Sequence, residues 1–89
     1  MKSIFLTYIE ERMWVQRYAK RTIQSYLYWI KGFILFTGKQ HPKQCHNAEV
    51  ERFLTYLTVQ LNVAPKTQAL ALNALVFLYR EIIHNPLSL

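Results

Sequence analysis

The sequence predicts a compact all-α domain of four helices, and three observations support this fold class. Apolar residues make up 52% of the 89 residues and charged residues 18%, so the chain carries enough apolar surface to fold as a single domain with a modest core. Glycine occurs only twice, and the three prolines all lie at position 42 or later. Apolar residues also recur at three- and four-residue steps, which is the helical period.

The first helix is expected to begin after Ser3, whose hydroxyl is a good N-cap, and to continue to about Met13. The side chains expected to face inward are Phe5, Tyr8 and Ile9. Residues 14–21 are then expected to form a connection to the second helix.

The second helix is predicted to start near Thr22, as its N-cap or in its first turn, and to stop at Gly38. At 100° per residue its side chains separate into two faces. The apolar face contains Tyr26, Trp29, Ile30 and Phe33. The opposite face contains Gln24, Tyr28, Lys31 and Leu35. The apolar face is expected to contact the core.

The third and fourth helices follow a polar loop around Pro42. Asn47 is expected to cap the third helix, which ends near Leu61, and Pro65 fits the first turn of the fourth. The expected core residues of these two helices are Val50, Phe53, Leu54, Leu57, Ala71, Leu75, Leu78 and Ile82. Because Leu70 and Phe77 extend the apolar surface of the fourth helix almost all round, this helix is expected to be central or to be covered by another domain.

The charge of the chain indicates an anionic partner. Eleven lysines and arginines oppose five acidic residues, which gives a formal net charge of +6 and a pI near 9.7. Lys20 and Arg21 are expected just before the second helix, where free N–H groups and the helix dipole also favour an anion. Lys66 begins a similar polar group at the start of the fourth helix, from which Asn73 lies seven residues further along the same stripe.

Other classes of function lack a matching pattern. His41, Cys45 and His46 fall within six residues and lack the paired spacing of a structural zinc site, so neither a metal nor a cofactor is expected. The chain contains no aspartate and no glycine-rich phosphate loop, so no catalytic residue is assigned. The single cysteine fits a reducing compartment, and the apolar stretch 69–79 is too short to cross a bilayer. We therefore expect a soluble, cytoplasmic protein without a membrane partner.

Several separated segments resemble one known family. The segment "YAKRTIQSYLYWIKGFILF" resembles the N-terminal core-binding domain of tyrosine recombinases, in which a basic residue and a threonine precede a helix with a tyrosine four positions later; here these are Arg21, Thr22 and Tyr26. The segments "SYLYWIKGFILFTGKQHP", "EVERFLTYL" and "VAPKTQALALNALVFLYRE" resemble the integron integrase branch of this family. The resemblance covers roughly residues 9–83.

This resemblance implies a four-helix, SAM-like DNA-binding domain in residues 1–89 of a bacterial recombinase. Such a domain docks on one side of recombination-site DNA, duplex or folded single strand, while a separate C-terminal catalytic domain closes on the other side and the full-length protein forms a tetramer. The implied DNA-binding residues are Lys20, Arg21, Thr22, Gln24, Lys31, Lys66, Thr67, Gln68 and Asn73. The catalytic motifs of the family have no match here, because His-x-x-Arg is missing and Tyr79 fits a helical core pattern.

One alternative remains open at the level of the sequence. A helical protein–protein interaction domain would use Leu35, Leu70 and Phe77 to bind a partner helix, and its basic charge would be incidental. A membrane-surface helix is disfavoured because Lys31 is the one charged residue within the polar face of the second helix.

Overall fold

A computed structural model of the protein describes residues 3–89, which form four α-helices and, within that range, no β-strand. Short segments with other helical geometry extend or connect the helices. The α-helices are α1 (Ile4–Val15), α2 (Lys20–Phe36), α3 (Asn47–Thr55) and α4 (Pro65–Phe77). The additional segments are a 3-10 turn at Pro42–Gln44 and π-helical continuations of α3 at Tyr56–Gln60 and of α4 at Leu78–Ile82. The Cα radius of gyration of 12.4 Å is that of a folded domain of this length. The predicted all-α, four-helix fold is confirmed.

The connection between α1 and α2 is shorter than the sequence predicted. The hydroxyl of Ser3 accepts a hydrogen bond from the backbone N–H of Leu6 at 3.0 Å, so the predicted cap is present. However, α1 continues past Met13 to Val15, and α2 already begins at Lys20. No proline or glycine interrupts this stretch, and α1 ends only where Arg17 turns the chain with a φ of 63°.

Gly38 ends α2 as predicted. Its φ of 76° lies in the left-handed region, where a glycine has no steric cost. The N–H of Gly38 donates to the carbonyl of Leu35 at 3.2 Å, and the N–H of Lys39 donates to the carbonyl of Ile34 at 2.9 Å. These two bonds are those of a Schellman motif, which satisfies the last carbonyl groups of the helix.

The N-cap of α3 is His46 and not Asn47, so this prediction is wrong. The backbone N–H of His46 donates to the Glu49 carboxylate at 2.8 Å, which is one half of a capping box. Asn47 is the first helical residue, and its side chain bonds instead to Ser88, 41 residues later in the chain. A partner that distant leaves no signal in the local sequence.

The core lies between α2 and α4, which form the most extensive helix pair, and α3 packs against both. The fully buried residues come from all four helices and the connecting segments. They are Ile9, Met13, Ile23, Ile30, Phe33, Cys45, Val50, Phe53, Leu57, Ala71, Ala74, Leu75, Phe77, Leu78 and Tyr79. The small side chains of Ala71 and Ala74 let α4 approach its neighbours closely, and α4 is central as predicted.

Tyr8 and Tyr79, both predicted to belong to the core, have different environments. Tyr8 is 50% exposed, so its predicted inward orientation is wrong; it is turned about 100° from the buried Ile9, and Met13 fills the core position instead. Tyr79 is buried as predicted, and its hydroxyl donates to the carbonyl of Pro42 at 2.7 Å. Burial raises the pKa of Tyr79 far above its usual value, so the phenol stays neutral.

Candidate nucleic-acid interface

The acidic residues of the chain are absent from the two helices that form the centre of the fold. The helix α2 contains Lys20, Arg21 and Lys31 and no acidic residue, and α4 contains Lys66 and no acidic residue. All five glutamates lie elsewhere: Glu10 and Glu11 in α1, Glu49 and Glu51 in α3, and Glu81 after α4. The helices α2 and α4 therefore present no negative side chain of their own to an anion, although Glu10 of α1 lines the groove that contains Gln24 and Lys31.

The outer face of α2, as we call the row Lys20, Gln24, Tyr28, Lys31 and Leu35, is exposed along its whole length. Tyr28 is 69% exposed and Leu35 is 52% exposed, which shows that no other helix covers this face. Buried Ile30 and Phe33 lie on the opposite side. The predicted division of α2 into two faces is therefore confirmed.

The first turn of α2 combines free N–H groups with positive side chains. Lys20 and Arg21 lie inside this turn, not before it as the sequence suggested, and both are exposed, whereas Thr22 is partly buried. The N-cap, Ala19, provides no side-chain acceptor for the free N–H groups. Cations at a helix N-terminus are unfavourable by about 0.3–1 kcal/mol each, a cost that a bound anion would offset.

The first turn of α4 also combines free N–H groups with a positive side chain. It begins with Pro65, its N-cap Ala64 has no side-chain acceptor, and it contains no acidic residue. Lys66 is exposed, and Thr67 and Gln68 are partly buried. Asn73, two turns further along, is exposed.

The predicted residues fall into groups at different places along α4. The rings of Tyr18 and Tyr26 pack on the ring of Phe77, with centroids 5.4 and 5.6 Å apart, so the start of α2 lies beside the carboxyl end of α4. Burial and the neighbouring Tyr18 raise the pKa of Tyr26, and the positive charge of Arg80 lowers it in part, which places this guanidinium near the same cluster. Lys20 and Arg21 therefore lie towards the carboxyl end of α4, where the continuation of this helix contains Arg80.

The segment just before α4 lies near the middle of α2 instead. Leu61, just before α4, lines a groove of about 540 Å³ together with Trp29, Gly32 and Lys31 of α2. Lys66 is separated from Arg80 by roughly 20 Å of helix axis at 1.5 Å per residue. The structure thus separates Lys20 and Arg21 from Lys66, Thr67 and Gln68, and these residues do not form one cluster.

Gln24 and Lys31 form a third part of the predicted set. They line a groove between α1 and α2 that also contains Tyr28, Leu35 and Lys39. The set of DNA-binding residues predicted from the sequence omits Tyr28, although its four-residue spacing from Gln24 places it on the same exposed face.

The two ion pairs seen among residues 3–89 lie outside α2 and α4. Within residues 3–89, the ion pairs join Arg52 to Glu49 at 3.2 Å and Arg80 to Glu81 at 2.9 Å. Neither of these two pairs involves a cation of α2 or Lys66. These side chains are available to bind an external anion.

The apolar surface required by the protein-interaction alternative is smaller than the sequence suggested. Phe77 is only 2% exposed, because Tyr18 and Tyr26 cover it, and Leu70 is partly buried. The expectation that Phe77 contacts a partner is therefore wrong. Leu35 remains exposed on the outer face of α2.

The three side chains considered as metal ligands have separate contacts. His41 Nδ1 accepts a hydrogen bond from the backbone N–H of Lys43, Cys45 Sγ donates to Gln40, and His46 contacts carbonyl groups near the end of the chain. In the part of the chain that the structure describes, no group of three or more His, Cys, Asp or Glu residues could hold a metal ion. No helix in that part is long and apolar enough to span a membrane.

Comparison with known proteins defines the class of this fold. Residues 5–89 match the phage integrase N-terminal SAM-like domain, and the chain belongs to this family. It is 37% identical over 78 residues to proteins named integrase/recombinase from Escherichia coli and from Pseudomonas aeruginosa; each match covers 88% of this chain and 23% of the relative. The chain therefore spans about a quarter of the length of these relatives.

A solved structure supports the same classification. The crystal structure of XerA recombinase superimposes with a TM-score of 0.77 at 25% sequence identity, over 85% of this chain and 27% of XerA. The predicted membership in the recombinase family and the SAM-like fold are confirmed. In this family the N-terminal domain is not the catalytic part of the protein.

Proposed function

We propose that this chain is the DNA-binding domain of a site-specific tyrosine recombinase and that it holds recombination-site DNA through α2 and α4. The observation that carries the proposal is the segregation of charge: exposed cations, which take part in neither of the two ion pairs seen among residues 3–89, lie on two helices that contain no acidic residue. The membership of the chain in an integrase domain family supports DNA as the polyanion.

Three parts of the surface have separate roles in the proposal. Lys20 and Arg21 contact phosphates at the start of α2, with Thr22 supporting that turn, and Lys66 and Thr67 contact phosphates at the start of α4. Gln24, Gln68 and Asn73 carry amides, which can read adenine edges in a major groove. Lys31 lies between these regions on the outer face of α2 and adds a further phosphate contact.

The roughly 20 Å between the two ends of α4 favours contact with several phosphates over binding of one small anion. Duplex DNA carries one charge per about 1.7 Å of its axis, so cations that are spread along a surface each meet a different phosphate. A single phosphate group would engage only one of the two helix ends. This separation supports a docking surface for a nucleic-acid backbone.

The finer assignment is to an integron integrase. In this proposal residues 1–89 bind one side of the attachment site, a C-terminal catalytic domain closes on the other side, and the whole protein assembles as a tetramer on DNA. The domain itself contributes positioning and no bond chemistry. The resemblance of "SYLYWIKGFILFTGKQHP" and "EVERFLTYL" to the integron branch supports this assignment.

The test is a titration of duplex attachment-site DNA with the 89-residue chain, followed by fluorescence anisotropy at several salt concentrations. Each phosphate contact contributes about −0.9 to the slope of log K against log salt, so Lys20→Ala and Arg21→Ala should each reduce the slope by about one. Lys43→Ala is the charge-matched control, because Lys43 is exposed beside the amino end of α1 and not on α2 or α4.

The salt slopes of the three variants distinguish docking through the start of α2 from an effect of net charge alone. A slope that changes equally in all three variants would show that only the net charge matters and would overturn the assignment of the surface. Binding that does not depend on salt would overturn electrostatic docking altogether.

The protein-interaction alternative is favoured by one feature, the apolar groove between α2 and α3. Tyr28, Leu35, Phe36 and Tyr56 line it and are exposed. Leu35→Ser should leave the affinity for DNA nearly unchanged if the groove has a protein partner. A loss of DNA affinity in Leu35→Ser would instead assign the groove to the DNA-binding surface.

A further inference from the structure

The residues that follow α4 do not leave the domain but fold back onto the start of α3. His84 turns the chain with a φ of 61°, and the N–H of Asn85 donates to the carbonyl of Tyr79 at 2.8 Å. Leu87 then packs against the core. The chain therefore stays on the surface of the domain for several residues after its last helix.

Two adjacent side chains at the start of α3 hold this segment through four polar contacts. The Nε2 atom of His46 lies 3.0 Å from the carbonyl oxygen of Asn85 and 3.2 Å from that of Pro86. Asn47 Nδ2 donates to the hydroxyl of Ser88 at 2.8 Å, and the N–H of Ser88 donates to Asn47 Oδ1 at 3.0 Å. Because both atoms of the amide are used, Asn47 fixes both the position and the orientation of Ser88.

The geometry also defines the hydrogen-bonding role of the Nε2 atom of His46. Two carbonyl oxygens face Nε2 and can only accept, so this nitrogen carries a proton and donates. Its ring contacts the ring of Tyr79 edge to face, with centroids 5.6 Å apart, and Tyr79 is fully buried. The core therefore orients the donor, and His46 connects the segment to the buried core.

We propose that residues 85–88 form a strap that fixes the direction in which the chain leaves this domain, with His46 and Asn47 as its positioning residues. The inference rests on the proposed function, in which a catalytic domain follows and must close on the opposite side of the DNA. A strapped connection shortens the free part of the linker. It thereby raises the effective concentration of one domain at the DNA already bound by the other.

The strap is tested first on the 89-residue chain by amide hydrogen exchange. The Ser88 amide should be protected, and Asn47→Ala should speed its exchange about five- to thirtyfold, the effect expected for losing one or two hydrogen bonds. The Asn85 amide, which donates to Tyr79, should change little. Ser88→Ala, which removes only the hydroxyl, should give a smaller increase. Gln44→Ala, at an exposed position outside the strap, is the control.

This measurement can overturn the strap without reference to DNA. If the Ser88 amide of the unmodified chain exchanges as fast as an unstructured peptide, or if Asn47→Ala leaves its rate unchanged, the strap is wrong. If the 89-residue chain fails to bind DNA, the proposed function is wrong, and the exchange rates still decide whether the strap exists.

The role in domain coupling is tested on the full-length recombinase. Asn47→Ala should weaken its affinity for attachment-site DNA about five- to tenfold through the loss of effective concentration. The same substitution should leave the affinity of the 89-residue chain for DNA unchanged. A purely structural role of Asn47 would not produce this difference between the two proteins. Equal losses in both proteins, or no loss in the full-length protein, would overturn the coupling.

Discussion

The hydroxyl of Tyr79 provides a sharp test of how this small domain is stabilised. Its oxygen lies 2.7 Å from the carbonyl oxygen of Pro42, and both residues are buried. The bond connects the end of α4 to the turn between α2 and α3, 37 residues apart in sequence. Substituting Tyr79→Phe keeps the ring and removes only the donor, so the carbonyl of Pro42 loses one of its two partners and keeps the backbone N–H of Cys45, which donates to it at 3.0 Å.

The cost follows from that loss. One hydrogen bond contributes about 0.5–1.5 kcal/mol net, and the total stability expected for a chain of this length is roughly 4–13 kcal/mol. We expect Tyr79→Phe to lower the free energy of unfolding by about 0.5–1.5 kcal/mol and the midpoint of thermal unfolding by roughly 2–12 °C. The assay is urea and thermal denaturation followed by circular dichroism.

Tyr28→Phe is the matched control, because it removes the same hydroxyl from a side chain that is 69% exposed. It should change the stability by less than about 0.5 kcal/mol. If Tyr79→Phe is as stable as the unmodified protein, or if Tyr79→Phe and Tyr28→Phe lower the free energy of unfolding equally, the hydrogen bond to Pro42 does not stabilise the fold.

Three further predictions concern pH and the backbone. Because burial raises the pKa of Tyr79 above its ordinary value of 10.0, the unfolded chain loses this proton first. The contribution of Tyr79 to stability should therefore be constant below about pH 10 and fall above it by up to about 1.4 kcal/mol per pH unit. When unfolding is measured by urea between about pH 8 and 11, the decline above about pH 10 should be weaker in Tyr79→Phe, whereas any decline from the thiol of Cys45, whose pKa burial also raises, should be the same in both proteins. Gly38→Ala should destabilise the protein by about 1–2 kcal/mol in the same denaturation assay, since the φ of 76° is unfavourable for alanine although no atom lies within 4 Å of the added methyl group; an unchanged midpoint would contradict this. Arg17→Gly should stabilise by up to about 1 kcal/mol, because Arg17 has a φ of 63°, and a loss of stability would show that its side chain makes a compensating contact.

The helices themselves were predictable because their signals are local. Ser3 caps a helix through an N–H three residues away, and Gly38 ends one through bonds within five residues. Pro65 fits the first helical position by its own fixed φ. In each case the sequence within one or two turns contains all the atoms involved, so no knowledge of the tertiary fold is needed.

The candidate interface was predictable only in part. The exposure of Gln24, Lys31 and Asn73 follows from their positions on amphipathic helices, and the structure agrees. The burial of Phe77 could not be predicted from the pattern of α4, because Tyr18 and Tyr26, from another part of the chain, cover this side chain. The DNA contacts of these residues stay predictions until the binding experiments are done.

The amino-acid sequence alone determined the helical class, the ends of most helices, the excess of positive charge and the family, since these depend on residue type and short-range spacing. The tertiary structure decided what depends on atoms far apart in the chain. In the folded domain His46, and not Asn47, is the cap of α3, and Lys20 and Lys66 lie near different ends of α4. The physical reason is that side-chain periodicity defines which face of a helix is apolar, whereas only packing between helices defines which residues that face will meet.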